Sequence, residues 1–125
     1  MESREIGGGS LIEATRVQGT AVFNSGGEKL GSIDDVMIDK RSGVAAYAIL
    51  SFGGFLGLGS DHYPIPWAKL KYSPQVGGYV VDMDAKQLEG APAFADGGEP
   101  QWGDQTYEKR LHSYYGVPPY WGEAQ

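Results

Sequence analysis

His62 and His112, with the aspartate pairs Asp34-Asp35 and Asp82-x-Asp84, are the side chains from which any chemistry in this chain would be assembled. A histidine-driven hydrolase also needs a positioned nucleophile, such as the serine of a Gly-x-Ser-x-Gly elbow, and no such elbow occurs. Ser60 stands near His62, but no third partner completes a catalytic constellation. A calcium loop wants oxygen ligands at alternate positions around a glycine turn. Val36, Met37 and Ile38 stand between Asp35 and Asp39 instead, and the Asp82-x-Asp84 pair lacks the glycine and the distal glutamate. These carboxylates read as turn caps and solvated groups, with Asp39 placed to accept amide hydrogen bonds from the turn at residues 40–43. The run Gly53-Gly54-Phe55-Leu56-Gly57-Leu58-Gly59 has glycine spacing like that of a phosphate loop. It lacks the following helix and the lysine such a loop uses, and leads into Ser60-Asp61-His62 and a proline-bounded strand. No catalytic residue, cofactor or metal site is expected, and His112 is expected on the outer face of its helix.

The elements that would position these groups fit one domain of 125 residues rich in glycine (20) and proline (7), a composition that favours turns and short strands. The net charge of -6, with basic residues scattered singly or in pairs such as Lys40-Arg41, argues against direct binding of nucleic acid. The chain has no cysteine, which removes disulfides, thiolate nucleophiles and cysteine-based zinc sites together. Its first residues carry charges on both sides of the first apolar residue, which is unlike a signal peptide, and no run reaches the length that spans a bilayer. A cytoplasmic protein without membrane insertion is the expectation.

Along the chain, residues 1–13 read as a flexible lead, residues 14–92 as the folded domain and residues 93–103 as a linker of Asp, Gly, Glu and Pro character. Residues 104–125 read as a C-terminal helix with an aromatic tail. Within residues 30–39, Ile33, Val36 and Ile38 do not share one parity, so one extra residue near Asp34-Asp35 is predicted to bulge and bring all three to one face. Gly43 suits the left-handed position of the next turn. Residues 44–52 are apolar on both parities, as in a strand covered on both sides. Tyr63-Pro64-Ile65-Pro66 is predicted to be an edge strand at most, because each proline removes a ladder donor. Near the end, Tyr107, Leu111, Tyr114 and Tyr115 fall on one face of a helix that Gly116 closes and Pro118-Pro119 stops.

In their order and spacing these motifs resemble the PRC-barrel family. The residues that carry the likeness are Gly19, Gly27-Glu28-x-x-Gly31, Ile33-x-Asp35-Val36-x-Ile38-Asp39, Ser42-Gly43, Tyr47-Ala48-Ile49-Leu50 and Pro64-Ile65-Pro66-Trp67-x-x-Leu70. They cover about residues 14–92. The chain is especially similar to stand-alone bacterial members that carry the 53–59 glycine run and a Tyr-Tyr-Gly-x-Pro-Pro-Tyr-Trp ending. The family takes its name from the photosynthetic reaction centre H subunit and also supplies the second domain of a ribosome maturation factor. The resemblance implies a mainly β fold, a small antiparallel barrel with short helical turns and a C-terminal helix, used as a platform for binding other macromolecules.

The expected function is accordingly a non-enzymatic protein–protein interaction or adaptor module, self-associating as a dimer and with a further protein partner. The surface assigned to that role is Phe55, Leu56 and Leu58 on the glycine loop, together with Tyr114, Tyr115, Tyr120 and Trp121 in the tail. Trp102 and Trp121 are read as anchors that dock the tail on its own barrel or on a neighbour. Two alternatives predict different surfaces. A ribosome- or RNA-associated assembly factor needs a clustered basic face, and a small-ligand binder or enzyme needs a deep polar pocket gathering Asp61, His62 and Tyr63.

Overall fold

Period-2 patterning and glycine turns produce a single sheet in the computed structural model, which describes residues 10–51, 61–95, 98, 100, 102, 103 and 105–121. The strands are β1 (Ala21–Asn24), β2 (Lys29–Ile38), β3 (Ala45–Ser51), β4 (Asp61–Pro66), β5 (Lys71–Ser73), β6 (Gly78–Val81) and β7 (Phe94–Ala95). Short helices α1 (Ala14–Val17) and α2 (Ala85–Glu89), a single 3-10 turn at Trp67–Lys69 and the longer α3 (Gln105–Tyr115) complete the described elements. The order across the sheet is β5-β6-β1-β2-β3-β4-β7.

The mainly β architecture with short helices and a C-terminal helix is the one expected, but two details differ from an all-antiparallel closed barrel. β1 and β6 run parallel, with Val22 opposite Tyr79 and Asn24 opposite Val81. Among the described residues the sheet is an open strip ending at β5 and β7. Hydrophobic period reports which face of a strand is covered, not which distant strand lies beside it. One residue does record that neighbour: a Cβ at Gly78 would run into the Ala21 carbonyl oxygen, so β1 can approach β6 only over a glycine.

The predicted bulge is present. Ile33 pairs with Leu50 and Asp35 with Ile49, leaving Asp34 as the extra residue of β2. Paired residues share a face and alternate ones return to it, so Ile33, Val36, Ala48, Leu50, Tyr63 and Ile65 line one side of β2, β3 and β4. A second register shift, between Met37 and Ile38, undoes the parity beyond it. Ile38 is therefore 55% exposed rather than in the core. At the end of β2, Asp39 accepts hydrogen bonds from the Ser42 hydroxyl (2.6 Å) and the backbone N–H groups of Arg41 and Ser42. Gly43 follows at φ +81°, a conformation that an L side chain resists.

β3 is covered on both faces as expected: every residue from Ala46 to Leu50 is buried. β4 corrects the edge-strand reading. Its first residues pair on both sides, with β3 and with Phe94 and Ala95 of β7. At Pro64 and Pro66 only the β3 ladder remains, so the missing N–H can face the side left without a partner strand. The stretch read as linker thus begins with a strand. Leu50, Ile65, Val81, Leu88 and Leu111 are fully buried at the centre of one apolar cluster. Each such side chain contributes about 1.5–3 kcal/mol of burial.

Candidate functional site

Tyr47 is the residue around which the polar groups of the interior gather. It sits on the opposite side of β3 from Ala48 and Leu50, and its hydroxyl is too deep to reach water. A buried phenol needs partners, and α3 brings two. The Tyr47 hydroxyl donates to Glu108 Oε1 at 2.7 Å and lies 2.9 Å from His112 Nε2. Tyr47, Glu108 and His112 are 1%, 3% and 5% exposed. A phenol has one proton. With that proton directed at Glu108, the ring meets the Tyr47 oxygen as a donor in the tautomer that carries its hydrogen on Nε2.

Aromatic rings enclose this trio. Trp102 stacks on Tyr47 at 5.7 Å and Tyr120 meets it edge-on at 5.7 Å. Trp121 stands edge-on to His112 at 5.6 Å. The chain reaches this arrangement because Gly116, at φ +70°, ends α3: its N–H and that of Val117 both donate to the His112 carbonyl oxygen. Pro118 and Pro119 then forbid further helix, and Tyr120 and Trp121 come back over the His112 ring.

The electrostatics favour the neutral ring forms. Burial, with Glu108 beside it, pushes the Tyr47 hydroxyl far above its usual range. Tyr120 is pushed up to about 12, first by desolvation and then by Glu108. Burial holds His112 below its usual range, against the opposing pull of the Val117 backbone, Glu108 and the Pro118 backbone. Tyr47 keeps its phenol proton, and the trio joins β3 to α3.

The seat is incompletely satisfied. His112 Nδ1, the Tyr107 hydroxyl and the Tyr115 hydroxyl are buried without a partner of hydrogen-bond geometry, and all three belong to α3. Each such group costs on the order of 1–3 kcal/mol. Burial also raises the Tyr107 and Tyr115 hydroxyls above their usual range.

Several sequence expectations are placed by this geometry. His112 is buried, which corrects its assignment to the outer face: the hydroxyl of Tyr47 turns the helix so that Glu108, Leu111, His112 and Tyr115 face inward. Leu111 and Tyr115 lie buried on the predicted helix face, which takes Tyr115 off the interaction surface assigned to it and into the core; Tyr107 is half-buried, and Tyr114 is 42% exposed. The Tyr114 hydroxyl donates to the Gln87 carbonyl oxygen of α2 at 2.6 Å. Tyr120 is near the surface and Trp121 half-buried, both packed on their own chain. Phe55, Leu56 and Leu58 lie outside the described residues, as does Asp104 ahead of α3. Asp61, His62 and Tyr63 follow one another along β4, so His62 and Tyr63 point to opposite faces. His62 stands 3.5 Å from the Asp34 carboxylate and tilts over Phe94, while Tyr63 enters the core. The aspartates serve turns: Asp84 caps α2 through a reciprocal box with Gln87, and Asp35 accepts from the Val36 N–H.

Sequence reasoning passed over Glu108 and His112 because polar residues at i and i+4 read as a wet face. The available signal was Tyr47, a phenol on a strand covered on both sides. A model of the PRC-barrel domain matches residues 10–88. The chain belongs to the PRC-barrel family. The match includes Tyr47 and β1 to β6 and stops short of β7 and α3, so Tyr47 lies within the matched residues and Glu108 and His112 beyond them. No curated protein matches the chain. Among the described residues, no helix is long and apolar enough to cross a membrane.

Proposed function

We propose that this PRC-barrel chain is a non-enzymatic protein–protein interaction module that self-associates and presents a separate apolar surface to a further protein partner. The observation that carries the reading is at the β2–β3 turn. Ile38 and Val44 are 55% and 50% exposed, and they flank one turn closed by the Asp39 N–H donating to the Val44 carbonyl oxygen. Two exposed β-branched side chains flanking one hairpin end suit a partner's apolar surface. Lys40 and Arg41 beside them add a polar, charged rim. The buried polar cluster of Tyr47, Glu108 and His112 joins two segments of the chain.

Light scattering at micromolar concentration is expected to give a mass near twice 13.4 kDa. A mass of one chain throughout that range would remove the self-association. Ile38→Asp combined with Val44→Asp is expected to abolish a partner cross-linked in native cells while leaving the oligomeric mass unchanged; retention of that partner would move the contact elsewhere. Cytoplasmic residence is part of the proposal and is checked by cell fractionation.

A further inference from the structure

The tail helix has the properties of an exchangeable part. We propose that α3 passes between copies of this chain, the helix of one copy occupying the Tyr47 seat of another, and that this exchange forms the dimer. The inference rests on the self-association reading above and names the surface that would produce it.

Seat and occupant belong to separable stretches of the chain. Tyr47 lies within the family match at residues 10–88, whereas Glu108 and His112 lie beyond it. Between Ala95 and Trp102 the sequence is Asp-Gly-Gly-Glu-Pro-Gln, without an aromatic or branched aliphatic residue. Trp102 itself stacks on Tyr47 and so travels with the helix.

The inner face of α3 is also unlike that of a permanent core helix. Glu108 and His112 flank Leu111 where apolar residues would bury more surface at no polar cost. Three of its buried polar atoms have no partner when seated, and would regain water when the helix lifts. Both features lower the cost of release and keep the freed helix soluble. A second copy supplies the same Glu108, Leu111 and His112, so the exchanged contact repeats the intrachain one. Exchange of an identical element is a low-cost route to a dimer, with the balance set by the connection and the concentration.

The chain has no cysteine, so Pro92→Cys together with Ser113→Cys introduces the only two thiols, at positions that border one surface depression when the helix is seated. Dimer-sized and monomer-sized fractions of the full chain are separated by gel filtration, treated with a short bis-maleimide and run on a denaturing gel. Exchange predicts covalent dimers from the first fraction and internally linked monomers from the second. A dimer fraction that yields only internally linked monomers overturns the exchange and leaves self-association standing. Absence of any dimer fraction overturns both. As a measurement without new side chains, deleting residues 97–99 is expected to raise the association constant severalfold, because a shorter connection penalises only the intrachain seat. An unchanged dimer fraction overturns the proposal.

Discussion

On one side of β3, Ala48 and Leu50 meet Ile33, Ile65 and the Tyr63 ring; on the other, Tyr47 meets a glutamate, a histidine and two aromatic rings. Both sides are dry, yet they are held differently. Apolar contact is non-directional, so the first side tolerates small shifts and keeps most of its energy. The second depends on one hydroxyl satisfying two groups of another segment, and it carries three polar atoms with no partner. The first side lies within the family match and the second straddles its end. On the exchange proposed above, the matched strip is the stable unit and the tail helix its conditional cover.

The largest effect is expected on the apolar side. Leu50→Ala removes a fully buried side chain and should cost about 2–5 kcal/mol, lowering the urea midpoint by circular dichroism and by tryptophan fluorescence together. If only one probe moved, the strip would not be the cooperative unit. Tyr47→Phe keeps the ring and removes the hydroxyl, leaving Glu108 and His112 without it at a cost of about 1–3 kcal/mol. Amide exchange should quicken over residues 105–115 far more than in β2–β4. Equal quickening in both would erase the contrast.

A smaller effect comes from the far edge of the helix. Asp84→Ala breaks the capping box of α2, worth about 1 kcal/mol, and α2 holds the carbonyl that Tyr114 grips. Exchange at the C-terminal end of α3 should rise slightly, and no change there would show that Tyr114 contributes nothing to the seat. The most graded effect is that of pH. Seated His112 has its pKa held below the usual value of about 6.5, so it resists a proton that the released helix accepts. Its contribution to docking is full above that value and is lost as pH falls through the lowered one. Glu108 of the same helix, Tyr47 of β3 and Tyr120 of the returning tail are the titratable groups facing it. Relative to the intrinsic base-catalysed exchange rate at each pH, protection over α3 at pH 5 should be lower than at pH 7, and His112→Gln should flatten the difference; a slope that survives this substitution would assign it to another group.

Local chemistry was readable from the chain alone. The bulge at Asp34, the Asp39–Gly43 turn, the doubly covered β3 and the Gly116 stop each follow from a few neighbouring residues, because parity, side-chain capping and positive φ act within one turn or one strand. The second register shift that exposes Ile38, the parallel β1–β6 pair and the inward turn of Glu108 and His112 did not follow. The last two depend on residues 57 to 65 positions apart, as in the parallel pairing of Val22 with Tyr79 and the link of Tyr47 to His112. A residue's type states what it needs, whereas the fold decides which distant group is close enough to supply it. Tyr47 declared the need for a partner in the sequence; only packing revealed that the partner was the tail.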